Sequence, residues 1–169
     1  MNSERLRDIQ SPLKSKYKEN PKSAVVTLQA FGKPGEGITC KIETSKALIT
    51  AGLHPATGGD GLSACSGDML LEAIVACAGV TFMAVATSLN IKIDDASIKA
   101  EGDIDFRGTL AVSKEANVGF QNIRLQFDIK SSEDEEKIKT LIKLTERYCV
   151  IFQTLKTPPS TTSSYKLNY

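Results

Sequence analysis

Ser66-Gly67-Asp68-Met69-Leu70-Leu71-Glu72-Ala73-Ile74-Val75-Ala76-Cys77-Ala78-Gly79-Val80-Thr81-Phe82-Met83-Ala84-Val85-Ala86-Thr87-Ser88-Leu89 is the stretch on which the fold turns. Ser66 suits a helix N-cap, and Asp68 and Glu72 bring negative charge to the positive end of a helix. The following residues are good helix formers or small, and they are apolar nearly all round. That pattern predicts a helix from Ser66 to about Asn90, buried on most sides. Ala76, Ala78 and Gly79 leave little bulk around Cys77, so another element can approach closely there. The uncharged run from Ala73 to Ile91 is just long enough to span a membrane. Its alanines, Thr81, Thr87, Ser88 and Asn90 dilute it, and amphipathic strands flank it. A core helix covered by sheet explains helix and strands together, so no membrane is expected.

Upstream, residues 1–22 are polar and contain Pro12 and Pro21. They read as an N-terminal arm outside the core, with room for a short helical piece, and residues 23–169 as the domain. From Ser23 a strand begins, with Ala24, Val26, Leu28 and Ala30 on one face. Gly32-Lys33-Pro34-Gly35-Glu36-Gly37 has turn chemistry. Ile38, Cys40 and Ile42 alternate in a second strand, and Ala47 to Ala51 form a third. The three read as an antiparallel meander. Gly52 to Cys65 is a glycine-rich loop without either phosphate-binding glycine motif.

Downstream, Ile98, Ala100, Gly102, Ile104 and Phe106 alternate with Lys99, Glu101, Asp103 and Asp105. Val118 to Ile129 forms a second alternating run, whose phase slips at Gln121-Asn122 as a β-bulge would require. The pair predicts an antiparallel hairpin with one wet face. Ser132 and Glu135 have capping-box spacing at the start of another helix. Ile138, Ile142, Thr145, Cys149 and Phe152 make one stripe along it. Pro158-Pro159 ends that helix, and Tyr165-Lys166-Leu167 suggests a last short strand. The fold class is therefore α+β.

A chain of 169 residues can bury one real core, and a formal net charge of +1 gives no electrostatic case for nucleic acid. The charged N-terminus lacks an apolar signal segment, so the reducing cytoplasm is the expected compartment. The four cysteines are Cys40, Cys65, Cys77 and Cys149, none in a C-x-x-C pair, and the one histidine is His54. Neither a metal site nor a cofactor is expected. On an apolar helix a cysteine is ordinarily a small hydrophobe. By that measure alone Cys77 and Cys149 are packing residues, and Cys40 is one too. Cys65 lies at a helix start, where a thiol is more easily ionised. His54 has no partner in the sequence and reads as a loop residue.

Two contexts together resemble the OsmC/Ohr family. One is Gly58-Gly59-Asp60-Gly61, then Ser66-Gly67-Asp68-Met69-Leu70-Leu71 and Ala76-Cys77-Ala78-Gly79. The other is Cys149-Val150-Ile151-Phe152-Gln153-Thr154-Leu155. The element order matches as well, over roughly residues 23 to 168. The resemblance implies antiparallel sheets wrapped around a long central helix in an intertwined homodimer. It implies thiol-dependent reduction of organic hydroperoxides, with lipoyl-type dithiols as reductant. By position, Cys77 is the peroxidatic and Cys149 the resolving cysteine. Asp68 takes the place of the family's glutamate. Lys33 falls where many members carry arginine, but its ammonium is a point charge and no planar fork. Arg107, Arg124 and above all Arg147 are the other cations that the chain offers. Met69, Phe82, Met83 and Phe152 are the expected apolar walls for substrate. The competing reading is a non-catalytic dimer that binds a small apolar ligand, with both cysteines structural.

Overall fold

A computed structural model describes residues 3–34, 40–42, 51–62 and 64–167. The central helix, α2 (Ser66–Ser88), forms as expected, with Cys65 rather than Ser66 at its N-cap. Leu71, Val75, Ala78, Phe82 and Ala86 recur at steps of four, three, four and four and are buried along one stripe. That stripe lies against a four-stranded antiparallel sheet. The sheet joins β1 (Val25–Pro34), β2 (Cys40–Ile42), β5 (Asp95–Asp105) and β6 (Phe120–Lys130) in the order β2-β1-β5-β6. On β5, Ala96, Ile98, Ala100, Gly102 and Ile104 face α2, as their alternation requires. The register slip between β5 and β6 falls where the phase of the β6 residues shifts, beside Asn122 and Phe120.

The second cover of α2 is helical. Helices α4 (Glu135–Tyr148) and α5 (Val150–Lys156) pack on it, so α2 has sheet on one side and helices on another. Length and composition alone would let α2 cross a membrane, but here it is the core helix. Met69 and Val80 stay exposed on its remaining side.

Several expectations are corrected. The N-terminal arm is a 17-residue helix, α1 (Ser3–Glu19), and it joins the core through Tyr17, which is 3% exposed. Between Asp8 and Glu19, Tyr17 is buried and Ile9, Gln10, Leu13 and Lys14 are half-buried, while the other residues are exposed, which is why the composition of α1 looks polar. Of the turn expected over Gly32–Gly37, Gly32-Lys33-Pro34 is the end of β1, and residues 35–37 lie outside the described residues. The third strand was expected at Ala47–Ala51, of which residues 47–50 lie outside the described residues. Ala51–Gly52, β3, pairs in parallel with Ala64–Cys65, β4, and not with β2. The single C-terminal helix is two, because the chain turns extended at Cys149 (φ −70°, ψ 108°). One turn earlier, the Thr145 hydroxyl donates to the Leu141 carbonyl at 2.8 Å, a bond that bends helices. Asp134 caps α4 by accepting from the Lys137 N–H at 2.8 Å, in place of Ser132. No strand forms at Tyr165–Leu167, where Tyr165 is 93% exposed.

Candidate functional site

The break at Cys149 is what brings two cysteines together. Cys149 closes α4 and opens α5, and its side chain is fully buried. The small residues around Cys77 let α5 lie close against α2, and Cys77 packs against the core cluster that holds Cys149, near enough for the two thiols to interact electrostatically. Burial pushes the Cys149 thiol up to about 11, and the neighbouring Cys77 adds to the rise. The backbone N–H groups of Phe152 and Ile151, both in the first turn of α5, oppose it. Cys149 therefore keeps its proton at neutral pH. Cys77 is half-buried and Cys65 is likewise half-buried and free.

A cavity of about 540 Å³ opens between α2, which carries Cys77, β6, and α5, which Cys149 opens. Leu70, Ile74, Phe120, Ile123, Leu125, Phe152 and Leu155 give it apolar walls. Neither cysteine lines it; the lining residues nearest to them in the chain are Ile74, three residues before Cys77, and Phe152, three residues after Cys149.

Of the four expected wall residues, only Phe152 lines this cavity. Phe82 lies about 140° around α2 from Cys77. It is fully buried and stacks on Phe127 with ring centroids 5.8 Å apart. Met83 packs with that same cluster, and Met69 is exposed at the helix start.

The structure does not bring Asp68 to Cys77 within one chain. Nine residues are two and a half helical turns, which puts the two on opposite faces and about 13 Å apart along the axis. The titratable group near Asp68 is His54. Burial raises the Asp68 carboxyl above its usual range, and His54 lowers it.

The cations are placed away from the pair as well. Lys33 lies on β1 opposite Lys41 of β2, in the register that pairs residues 27, 29 and 31 with Asp103, Glu101 and Lys99 of β5, on the sheet's outer face. Lys33 is exposed. Arg107 grips Asp105 (Nη2 to Oδ2, 2.6 Å), and Arg124 grips Asp103 (Nη1 to Oδ2, 2.6 Å). Arg147 lies over its neighbour Tyr148, 5.4 Å from the ring centroid.

Residues 58–164 match the sequence profile of the OsmC-like protein family. The chain belongs to the OsmC-like family. No curated protein matches it. An OsmC-like hydroperoxide resistance protein from Jannaschia sp. CCS1 shares the fold, with a TM-score of 0.59 and 17% identity over 85% of this chain and 95% of that one. An OsmC-like protein from Mycoplasma pneumoniae does so with a TM-score of 0.55 and 19% identity, over 79% and 86%. Both cysteines of the pair fall inside the OsmC-like match, whereas α1 lies before it.

Sequence reasoning missed His54. The Ala56 N–H donates to its Nδ1 at 3.0 Å, and its ring stacks on Phe106 at 4.9 Å between centroids. His54 is the cap of a short 3-10 turn with Pro55 next. Pro at the first position of a helical turn, with Gly58 and Gly59 just past it, is the signal that marked a cap there.

Proposed function

We propose that this OsmC-like protein reduces organic hydroperoxides through Cys77 and Cys149. The observation that carries the reading is that a half-buried and a fully buried thiol pack in one core cluster, with an apolar cavity lined by neighbours of both. Because Cys149 holds its proton, the first attack falls to Cys77. Its thiolate bonds to the distal oxygen of ROOH, the O–O bond breaks, and the alkoxide leaves and takes a proton. Cys77 is then a sulfenic acid. The Cys149 sulfur displaces its hydroxyl, which leaves as water, and a disulfide forms. A dithiol of the lipoyl type opens that disulfide by exchange. Apolar cavity walls favour an alkyl chain over hydrogen peroxide, at about 25 cal/mol for each Å² covered.

The working unit in this reading is a homodimer in a reducing compartment such as the cytoplasm. The exposed Met69 and Val80 on α2 support it, since a core helix otherwise leaves apolar surface in water. A second reading, a non-catalytic dimer holding a small apolar ligand, draws on the placement of Lys33, Arg107, Arg124 and Arg147 away from the cysteines. One experiment separates the two. Cumene hydroperoxide consumption with a dithiol reductant should stop in Cys77→Ser and fall to a single oxidation per chain in Cys149→Ser. Turnover that survives Cys77→Ser contradicts the proposal.

A further inference from the structure

A second cavity, of about 360 Å³, lies at the start of α2. Its apolar walls include Leu53, Leu70, Phe106 and Phe120, and its polar lining includes His54 and Cys65. The β3–β4 pairing sets Cys65 beside Gly52, two residues before His54, so backbone pairing holds thiol and imidazole at one cavity. It adjoins the first cavity through Leu70 and Phe120, but twelve residues of helix put its thiol, Cys65, about 18 Å from Cys77 along α2.

His54 is fixed from three directions. Phe106 stacks on one face of the ring, and the Ala56 N–H occupies Nδ1. The His54 carbonyl accepts from the Thr57 N–H at 2.8 Å and the Gly59 N–H at 3.2 Å. Helix α1 pins the same loop. The Tyr17 hydroxyl donates to the Ala56 carbonyl at 2.6 Å, and the Gln10 side chain donates to the Thr57 carbonyl at 3.2 Å. Gly58 sits at φ 92° against the Ile9 side chain, where a Cβ would collide. An N–H pointing at Nδ1 puts the ring's own proton on Nε2, and it opposes a second proton at Nδ1. His54 is thus a neutral, oriented hydrogen-bond donor, unsuited to act as a base. The Cys65 thiol makes no capping bond with α2 and is half-buried at the same cavity.

A soft nucleophile, an oriented N–H donor and apolar walls suit one ligand chemistry. We propose that this cavity binds small apolar α,β-unsaturated carbonyl compounds and that Cys65 adds to them. The Cys65 sulfur forms a bond to the β-carbon. The C=C electron pair shifts, and charge gathers on the carbonyl oxygen, where the His54 Nε2–H receives it. The thiol's proton ends on the α-carbon. The product is a thioether that keeps its carbonyl group, with nothing oxidised and nothing released.

The test uses the full chain, trans-2-hexenal and peptide mass mapping over time. Cys65 should gain the mass of one intact aldehyde, faster in the folded protein than in the chain unfolded in urea. His54→Asn keeps a cap acceptor for the Ala56 N–H but removes the ring donor. It should slow the addition about fivefold, the worth of one hydrogen bond. Iodoacetamide, whose alkylation puts no charge on a carbonyl oxygen, should label Cys65 at an unchanged rate in that variant. Cys77→Ser should alter neither rate, so the result stands whether or not the protein consumes hydroperoxide. The inference is overturned if folded Cys65 reacts with hexenal no faster than in urea. It is overturned equally if His54→Asn leaves the hexenal rate unchanged, or slows both reagents alike.

Discussion

α2 carries one thiol environment at its start and another in its middle, and they are built in different ways. Cys77 is placed by helices alone: its own, and the pair that breaks at Cys149. Cys65 owes its surroundings to a loop that α1, the 3-10 turn and Phe106 hold from three sides. The first arrangement stands as long as the core stands. The second depends on single hydrogen bonds from elements far away in the chain. Damage to the core should therefore reach both thiols, and damage to an anchor should reach one.

The largest effect is expected from Phe82→Ala. It empties a fully buried site between α2 and β6 and should cost about 3–5 kcal/mol in denaturant unfolding. Alkylation of Cys65 and Cys77 should accelerate together, and a change confined to one would break the comparison.

Asp105→Asn comes next. Asp105 is buried, grips Arg107 and caps α3 (Phe106–Thr109), which carries the ring under His54. The substituted side chain is then buried and short of its hydrogen bonds, which should cost about 1–3 kcal/mol. The hydrogen bonds from Arg107 hold the Asp105 carboxyl below the usual carboxylate range. A lowered folded value adds stability above the unfolded value, near 3.9, and loses it as pH falls through the folded value. Urea midpoints of the wild type should thus drop more steeply than those of the variant below about pH 4.

Tyr17→Phe removes one bond from α1 to the loop and should cost about 1 kcal/mol. It should quicken alkylation of Cys65 and leave Cys77 unchanged. Lys33→Ala should do least. An exposed side chain on the sheet's outer face has no route to Cys77, so thiol alkylation near neutral pH should keep its wild-type rate.

The same contrast explains what could be read without coordinates. The apolar stripe of α2, the alternation on β5 and the phase slip on β6 are periodic, and each appeared where periodicity put it. Cys77 and Cys149 were legible as a pair only through the family's spacing, because the bend that joins them comes from Thr145 and the break after it. Asp68 shows the limit of positional transfer. Counting nine residues to Cys77 also counts half a turn too many for the two side chains to meet within one chain. Phe82 went wrong for a related reason: an aromatic near a cysteine in sequence lay around the helix from it. His54 was hidden because its partners, Phe106, Asp68 and the loop held by Tyr17, are far off in the chain. The polar look of α1 concealed one buried tyrosine that anchors it.

The most direct test of the account is which cysteine pairs with which. The folded protein, reduced and then given one equivalent of cumene hydroperoxide, should lose two thiols. Peptide mapping should find Cys77 disulfide-bonded to Cys149, with Cys65 still free. A Cys77–Cys65 bridge, or a Cys77 that remains a thiol while the hydroperoxide stays unconsumed, would contradict it.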